Sequence, residues 1–360
     1  MIGKKSDSHI PPFAPGDSHF FSRYCTLSPF GNHPALDQSL QGGRDIVEMK
    51  THSAALLGAT SLFAKVFREY MAEHRLSEVR WSLFGDAEIL LTAEGDSPDV
   101  IRAESLEDVR DIPLILDFKS PRSAPLDVES RIVACGISAR GANVDPVHVF
   151  YNPGRILEKG SFTSPHPAVC VLLRLLHDLP LQGLRHAHAT LLFSTSEEGK
   201  PGNDELFNQT LALMNTQSAK SKVYKEQISF NLIPDLDADC IARISRELDA
   251  FLPKGLFTPP HLARAGMFFG TLMALDFSFS DPSAREAFAS GLKDKPFLTW
   301  ETKRHHGLIK AVQDDKIHAA VSCEEGDTLQ LWVATDALRT GMAWNLWSLA
   351  EHFFQHYPTN

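Results

Sequence analysis

Hydrophobic and polar positions fall into short alternating blocks between residues 54 and 134. Apolar runs at 54–57 and 79–84 flank the stretch 62–74, in which apolar residues recur at the spacing of a helix. Strands that alternate with helices predict a mostly parallel sheet with crossover helices. We therefore expect an α/β domain here, whose further strands lie at 89–91, 113–116 and 131–134.

From about residue 156 the pattern of apolar positions changes. Longer apolar runs alternate with helical stretches, and a helix rich in Trp and Phe follows at the end. This pattern predicts a second domain with a broad sheet and a helical face. Its helices are expected at 168–177 and 205–214, its strands at 187–195, 227–234, 267–279 and 329–335, and a turn at 336–341.

Residues 1–48 lack hydrophobic periodicity and are rich in Ser, Pro, Gly, His and Asp, which predicts a flexible N-terminal extension. The five cysteines show no CxxC spacing, so reduced thiols are favoured over a disulfide framework or a zinc site. The first residues contain no apolar stretch followed by a cleavage site, and we expect a cytoplasmic protein.

Net charge and the length of the apolar runs exclude two classes of partner. The formal net charge is −10, and an acidic surface repels phosphate backbones, so we expect no nucleic-acid partner. No apolar run reaches the roughly 18 residues that span a bilayer, so we expect no membrane partner.

Four segments, taken in order, resemble one known family. They are the turn Gly58-Ala59-Thr60, the stretch 196–210 that ends in ELFNQT, the stretch 230–234 (FNLIP), and the stretch 331–351 that contains DALRTGMAWN. Each motif alone has low specificity. Their order and spacing, over about residues 54–354, resemble the aspartate-semialdehyde dehydrogenase family.

This resemblance implies an α/β fold with two domains. A Rossmann-like domain of the NAD(P)-binding type is expected at 49–155, and an α+β dimerisation and catalytic-type domain at 156–341. The C-terminal helix, 342–356, is expected to pack back on the first domain. The family's reaction is the reversible reductive dephosphorylation of aspartyl phosphate with NADPH, and a homodimer is implied.

The resemblance places the family's two catalytic residues on side chains that lack the required chemistry. The nucleophilic cysteine falls on Pro167, which has no nucleophile, and the basic histidine falls on Thr271, which is no general base near neutral pH. Cys170 lies one helical turn deeper and is favoured as a buried core residue. Ser164 and His166 are alternatives, but the sequence nominates no base for the serine.

Three arginines are candidates for binding an anionic substrate. Arg264 matches the family's carboxylate-binding arginine, and Arg243 keeps the charge of its substrate-binding lysine. Arg140 lies near the expected phosphate-binding arginine, and a solvated loop charge is an equal alternative. The family's glutamate falls on Cys240 or Ile241.

The cofactor turn keeps only part of its pattern. Gly58 and Thr60 match, but Ser61 replaces the glycine that lets backbone approach a pyrophosphate. The second phosphate loop aligns with 117–120 (DFKS), which has no glycine. The sequence therefore leaves NADP binding open and assigns no certain cofactor.

Clustered histidines suggest no metal site, because His186 and His188 lack Cys or paired carboxylates at ligand spacing. We therefore expect a catalytically inactive relative of the dehydrogenase, with an interaction role and an unidentified protein partner. One alternative is an NAD(P)-dependent oxidoreductase that transfers hydride directly to or from an aldehyde or acyl substrate of amino-acid metabolism. Another is a small-anion sensor built on Arg264 and Arg243.

Overall fold

The computed structural model describes residues 52–74, 79–86, 89–91, 99–103, 106–119, 130–135, 145–301, 307–312 and 314–357. The expected extension, 1–48, and Arg140 lie outside the described residues.

The first sheet is parallel, as the alternating pattern predicted. Its seven strands are β1 (His52–Leu57), β2 (Val79–Gly85), β3 (Ile89–Leu91), β4 (Asp99–Ala103), β5 (Leu114–Asp117), β6 (Arg131–Ala134) and β7 (Gly160–Thr163). They lie in the order β3-β4-β2-β1-β5-β6-β7. The recorded pairings β4–β2, β2–β1, β1–β5, β5–β6 and β6–β7 are all parallel.

Two helices accompany this sheet, α1 (Leu62–Glu73) and α2 (Leu106–Val109). Helix α1 begins after Ser61, whose Oγ accepts the Ala64 N–H at 3.2 Å and so satisfies a free helix donor. The apolar residues Phe63, Phe67 and Tyr70 recur at helical spacing and are buried. The helix thus covers the sheet and positions the turn that precedes it.

The second sheet is mixed. Its strands are β8 (Leu184–Phe193), β9 (Leu232–Asp235), β10 (His261–Ala265), β11 (Thr271–Phe279), β12 (Leu298–Glu301), β13 (Ile317–Glu325) and β14 (Thr328–Thr335). Their order is β12-β13-β14-β11-β8-β10-β9. In β11 every second residue from Thr271 is buried, which gives the sheet one core face and one half-exposed face.

Six α-helices lie among the described residues of this half of the chain. They are α3 (Pro167–Leu176), α4 (Gly199–Met214), α5 (Ala238–Phe251), α6 (Pro282–Lys293), α7 (Leu308–Ala311) and α8 (Trp344–His356). Side chains of α3, α5 and α6 share a core cluster with the buried face of the sheet. No helix in the described part of the chain is long and apolar enough to cross a membrane.

The predicted strand at 227–234 is wrong over most of its length. Only 232–235 pairs, antiparallel to β10. Ile228 and Ser229 instead form a turn whose N–H groups donate to Gln209 Oε1, at 2.8 and 3.1 Å. A side chain on α4 thus supplies the hydrogen bonds that a neighbouring strand would have given.

The predicted turn at 336–341 is also wrong. Leu338–Ala343 is a π-helix that runs directly into α8. The buried Arg174 donates from Nη1 to the Thr340 carbonyl at 2.8 Å. The Thr340 hydroxyl also donates a hydrogen bond to Asp336 O, at 2.9 Å, and the two bonds stabilise the π-helix. Helices of this type are rare in proteins and occur frequently at functional sites.

Two other boundaries differ from the prediction by four residues or more. The apolar run 267–279 pairs as a strand only from Thr271, because Gly270 has φ +92° and breaks the extended backbone before it. Helix α4 begins at Gly199, six residues before the predicted start.

Helix α8 packs against the first sheet. Phe354 contacts the ring of His52 on β1 at 4.9 Å, and Arg131 on β6 stacks over Phe353 and Tyr357 at 5.5 and 4.8 Å. The end of the chain therefore joins both sheets.

Candidate functional site

Pro167 is the first residue of α3 and is buried. The preceding His166 caps the helix, because its Nδ1 accepts the Ala168 N–H at 3.2 Å. Gly341 of the π-helix lies against this turn, where an added Cβ would collide with the Pro167 carbonyl oxygen. The position that the resemblance assigns to the nucleophile is therefore buried against the π-helix.

The neighbouring nucleophile candidates are not activated. Cys170 is fully buried, and burial raises the pKa of its thiol far above the ordinary value, with a further increase from Glu247. Ser164 is also buried, and its Oγ lies 3.5 Å from Pro165 O and 3.4 Å from Asn345 Nδ2. No imidazole or carboxylate is hydrogen-bonded to this hydroxyl among the described residues.

Thr271 begins β11 and is 2% exposed. It pairs with Thr335 on one side and Phe193 on the other. An added Cβ on the adjacent Gly270 would lie 2.8 Å from the Leu308 side chain, so α7 covers this point closely. The site thus has a hydroxyl where the resemblance places an imidazole.

Arg264 lies on β10, and acidic side chains of the same chain hold it. Its Nε donates to Asp235 Oδ2 at 2.8 Å, its Nη2 pairs with Glu198 Oε1 at 3.3 Å, and its guanidinium stacks 5.2 Å from the ring of Phe193. Burial lowers the pKa of this guanidinium, but Glu198, Glu197 and Asp235 outweigh that effect and raise it. Nη1 is buried and has no hydrogen-bond partner among the described residues.

Arg243 is held in the same way. Its Nε donates to Glu247 Oε1 at 2.7 Å, one helical turn along α5. The other oxygen of Glu247 accepts the backbone N–H of His166 at 2.7 Å. Burial raises the pKa of Glu247, although Arg243 opposes that increase. Arg243, which the resemblance assigns to substrate binding, is therefore part of a chain of hydrogen bonds that connects α5 to the start of α3 through Glu247.

Phe193, at the end of β8, joins the predicted positions into one site. Its ring lies 5.2 Å from the ring of His166 and 5.2 Å from the guanidinium of Arg264, and its backbone pairs with Thr271. The structure therefore places Thr271, Arg264 and the start of α3 around Phe193, and Arg243 is linked to them through Glu247 and His166.

Sequence reasoning missed the acidic members of this site. Glu197 and Glu198 lie in a short 3-10 helix, Thr195–Glu198, between β8 and α4, and Glu197 Oε2 lies 3.5 Å from His166 Nε2. Asp235 ends β9 and Glu247 lies on α5. The two adjacent glutamates, a few residues after a buried strand, are the one sequence feature that indicates them.

The turn that matches the family's cofactor motif is tightly packed. Gly58 has φ +68°, and an added Cβ there would lie 2.9 Å from the backbone of both Phe118 and Lys119. Thr60 is exposed, whereas Ser61 uses its side chain to cap α1. Because Ser61 already takes the Ala64 N–H, the helix offers one donor fewer to an incoming phosphate.

The expected second phosphate loop is part of the core in its described residues, 117–119. Phe118 is 2% exposed and packs 5.8 Å from the ring of Phe67 on α1. The buried Asp117 accepts the Lys119 N–H at 2.9 Å, and the Lys119 ammonium pairs with Asp86 at 3.4 Å. A buried carboxylate beside the Gly58 turn disfavours a pyrophosphate, so these residues fit NADP poorly.

The histidines on β8 belong to the half-exposed face of the second sheet. His188 hydrogen-bonds Thr258 at 2.6 Å and His261 at 3.2 Å. Within the described ranges, one group has the spacing of metal ligands, Glu73, His74 and Asp315. Arg339 already pairs with both of its carboxylates, so a guanidinium supplies the positive charge there.

Comparison with known proteins gives consistent matches. Residues 173–340 match the family model described as semialdehyde dehydrogenase, dimerisation domain. A USG-1 protein homolog of Pseudomonas aeruginosa is 26% identical over 59% of this chain and 68% of its own length. A USG-1 protein homolog of Azotobacter vinelandii is 31% identical over 52% and 60%. Aspartate-semialdehyde dehydrogenase 2 of Vibrio cholerae is 27% identical over 49% and 56%, so little more than half of that enzyme is matched.

Solved structures match over most of the chain. A probable aspartate-semialdehyde dehydrogenase from Pseudomonas aeruginosa superposes with a TM-score of 0.73 at 20% identity, covering 86% of this chain and all of that one. Aspartate semialdehyde dehydrogenase II of Vibrio cholerae, complexed with ASA, gives 0.71 at 20% identity, with 86% and 99% covered.

The fold is thus the α/β architecture of a two-domain semialdehyde dehydrogenase, with a Rossmann-like parallel sheet and a second, mixed sheet. Within that class, residues 173–340 match the semialdehyde dehydrogenase dimerisation domain, and the chain is similar to aspartate-semialdehyde dehydrogenases.

Proposed function

We propose that this chain is a catalytically inactive member of the aspartate-semialdehyde dehydrogenase family that acts as a homodimer in a binding or interaction role. The observation that supports this most directly is the pairing of Arg264 with Asp235 and Glu198. Arg264 is the residue to which the resemblance assigns carboxylate binding, and carboxylates of the chain itself pair with it.

The positions that the resemblance assigns to the nucleophile and the base carry neither group. Acyl transfer through a thioester needs a thiolate, and position 167 is proline. Proton transfer needs a base, and position 271 is threonine. Cys170 is an unsuitable substitute, because its raised pKa keeps the thiol protonated near neutral pH. Loss of nucleophile and base together removes most of the rate acceleration of such an enzyme.

The arginines that suggested anion sensing are already neutralised. Two of the three guanidinium nitrogens of Arg264 face carboxylates, and Arg243 is paired with Glu247. An anion that used the nitrogens held by Asp235 and Glu198 would have to displace buried ion pairs, which costs more than binding to a vacant arginine. The site therefore favours a structural use of these charges over substrate binding.

A homodimer is supported by the description of the family model, which names a dimerisation domain over residues 173–340. The half-exposed face of the second sheet, with Trp332 40% exposed, adds uncovered apolar surface in that range.

Catalytic inactivity is tested by following NADPH absorbance with aspartate semialdehyde, phosphate and NADP. We expect no turnover above the buffer rate, while aspartate-semialdehyde dehydrogenase 2 of Vibrio cholerae, assayed in parallel, serves as the positive control. The double variant Pro167→Cys, Thr271→His should also stay inactive, because Asp235 and Glu198 still hold Arg264.

Turnover well above background that Arg264→Ala abolishes would refute the proposal. Calorimetry with NADP and NADPH distinguishes an inactive protein from an oxidoreductase with changed chemistry. Heat of binding without semialdehyde turnover would favour the oxidoreductase.

A further inference from the structure

Two histidines from distant parts of the chain face each other on the half-exposed face of the second sheet. His188 lies in the middle of β8, and His261 is the first residue of β10, 73 positions later. Their facing ring nitrogens, Nε2 of His188 and Nδ1 of His261, are 3.2 Å apart. The sequence around His186 and His188 gives no sign of this pair, because the second imidazole comes from another strand.

The separation of the two nitrogens is that of two ligands on one metal ion. Zinc binds imidazole nitrogen at about 2.0–2.1 Å with tetrahedral angles, so two nitrogens on the same ion lie about 3.4 Å apart. The 3.2 Å between His188 and His261 is close to that value. A hydrogen bond between the rings has a similar length, and an ion can replace its proton without a large movement of either side chain.

Thr258 orients the ring of His188. Its Oγ1 lies 2.6 Å from Nδ1 of this ring, at the nitrogen that does not face His261. Metal-binding histidines usually donate their second ring N–H to an oxygen acceptor, which fixes the tautomer and leaves the other nitrogen free to bind. When Nδ1–H donates to Thr258, the lone pair of His188 Nε2 is directed at His261.

The backbone of the segment 256–261 is held against β8. The Ala187 N–H donates to Leu256 O at 2.9 Å, and the Thr258 N–H donates to Ala187 O at 3.0 Å. Two prolines separate Thr258 from His261, and each of them fixes one backbone dihedral. Both imidazoles and the orienting hydroxyl are therefore in place before a ligand arrives, which lowers the entropy cost of binding one.

The surroundings of the pair favour a bound cation. Burial lowers the pKa of His188, and the neighbouring His261 lowers it further, so the ring is neutral near pH 7, as a metal ligand must be. Asp276 on β11 lies directly opposite His188 in the sheet and opposes this decrease, because its carboxylate stabilises positive charge there. Gln330 Nε2 donates to Asp276 Oδ1 at 2.5 Å and holds that carboxylate beside the pair.

Two protein ligands and solvent would form the coordination shell. His261 and Thr258 are exposed and His188 is half-buried, so water can reach an ion between the rings. The three-residue group around Asp315 differs in that Arg339 already holds its carboxylates. Imidazole nitrogen binds copper, zinc and nickel, whereas magnesium and calcium prefer oxygen ligands.

We infer that His188 and His261 bind one divalent transition-metal ion of the zinc and copper class, with Thr258 as the residue that positions His188. The ion would join β8 to the start of β10. This site uses none of the residues that the resemblance assigns to catalysis or substrate binding, so it does not depend on whether the chain is catalytically inactive.

Titration of the full chain with zinc, followed by isothermal titration calorimetry, tests the inference. His352 and His356 lie one turn apart on α8 with ring centroids 4.3 Å apart, a spacing that also binds zinc. Every protein compared therefore carries His352→Asn and His356→Asn, and the chain with these two changes alone is the reference protein. Magnesium replaces zinc as the ion control, and circular dichroism checks that each variant is folded.

The affinity for one equivalent of zinc should fall about 100-fold or more in His188→Asn and in His261→Asn. Thr258→Val, which removes only the orienting oxygen, should lower it about 10-fold, since loss of an outer-shell partner typically costs 10–100-fold. His186→Asn is the matched control, because His186 is exposed, lies on the same face of β8 and should bind like the reference protein. Magnesium should give no heat of binding.

Electron paramagnetic resonance with one equivalent of Cu²⁺ gives a second readout. The reference protein should show coupling to two nitrogens, and both histidine variants should lose it. Zinc affinity that is unchanged in His188→Asn and His261→Asn would overturn the site and leave the pair as a hydrogen bond. A loss of the same size in His186→Asn would overturn the assignment to this pair, since zinc would then bind surface histidines without selection.

Discussion

At the scale of single residues, His148 is the clearest titratable group outside the site. It is fully buried, its Nδ1 lies 3.3 Å from the Phe150 N–H, and Phe251 and Trp344 lie about its ring. Burial lowers its pKa to about 3. The folded state therefore holds a neutral imidazole over a pH range in which an unfolded histidine, with a pKa of about 6.5, is charged.

This histidine should make stability depend on pH. Below about pH 6.5 the unfolded state binds a proton that the folded state does not, so stability falls by about 1.4 kcal/mol per pH unit until about pH 3. We expect His148→Phe to reduce that slope when urea unfolding is measured from pH 7 to 5. His186→Phe, at an exposed histidine, is the control and should keep the wild-type slope. If His148→Phe also keeps the wild-type slope, the assignment to His148 is wrong.

At the scale of elements, the ELFNQT motif explains how α4 holds the segment 220–229. Glu205 accepts the N–H groups of Lys222 and Val223, at 2.8 and 2.5 Å. Gln209 accepts those of Ile228 and Ser229. The motif that carries the family resemblance therefore acts as a hydrogen-bonding scaffold for an irregular segment.

Gln209→Ala should leave two buried N–H groups without acceptors. Each such loss costs about 1–3 kcal/mol, so we expect a destabilisation of about 2–4 kcal/mol in urea unfolding. The neighbouring Asn208→Ala is the control, because Asn208 is exposed on the same helix, and its change should stay within about 0.5 kcal/mol. Equal stability of the two variants would contradict the scaffold role.

At the scale of the whole molecule, a charged cluster links the first sheet's helix to the rest of the chain. Arg339 of the π-helix pairs with Glu73 on α1 and with Asp315. His74, the residue directly after α1, pairs with Asp315 at 3.2 Å. Asp315 thus connects the end of α1 to the π-helix that packs against Pro167.

Asp315→Asn should weaken this connection. The buried Arg339 would keep only one carboxylate, and we expect a loss of about 1–2 kcal/mol, seen as a lower or split transition in calorimetry. Asp294→Asn, a change at an exposed helix end, is the control. A transition identical to that of the wild type would show that the cluster does not couple the two parts.

Much of the fold was predictable, because buried strands and amphipathic helices have their own periodicities. The prediction failed at 227–234, where Phe230 and Leu232 are apolar but point outward, and at 336–341, where Arg174 stabilises a π-helix from far along the chain. In the site, the sequence located Arg264. It could not show that Asp235, 29 residues away, occupies the guanidinium, since that pairing depends on the β9–β10 register.

The pairing of Arg264 with Asp235 and Glu198 also has a consequence for concentration. Tethered carboxylates behave as ligands at an effective concentration of about millimolar or more, because the fold has already brought them to the guanidinium. A free dicarboxylate at micromolar levels would compete poorly with them. A change intended to open Arg264 to a dicarboxylate would therefore begin at positions 198 and 235, before a thiol or an imidazole is introduced.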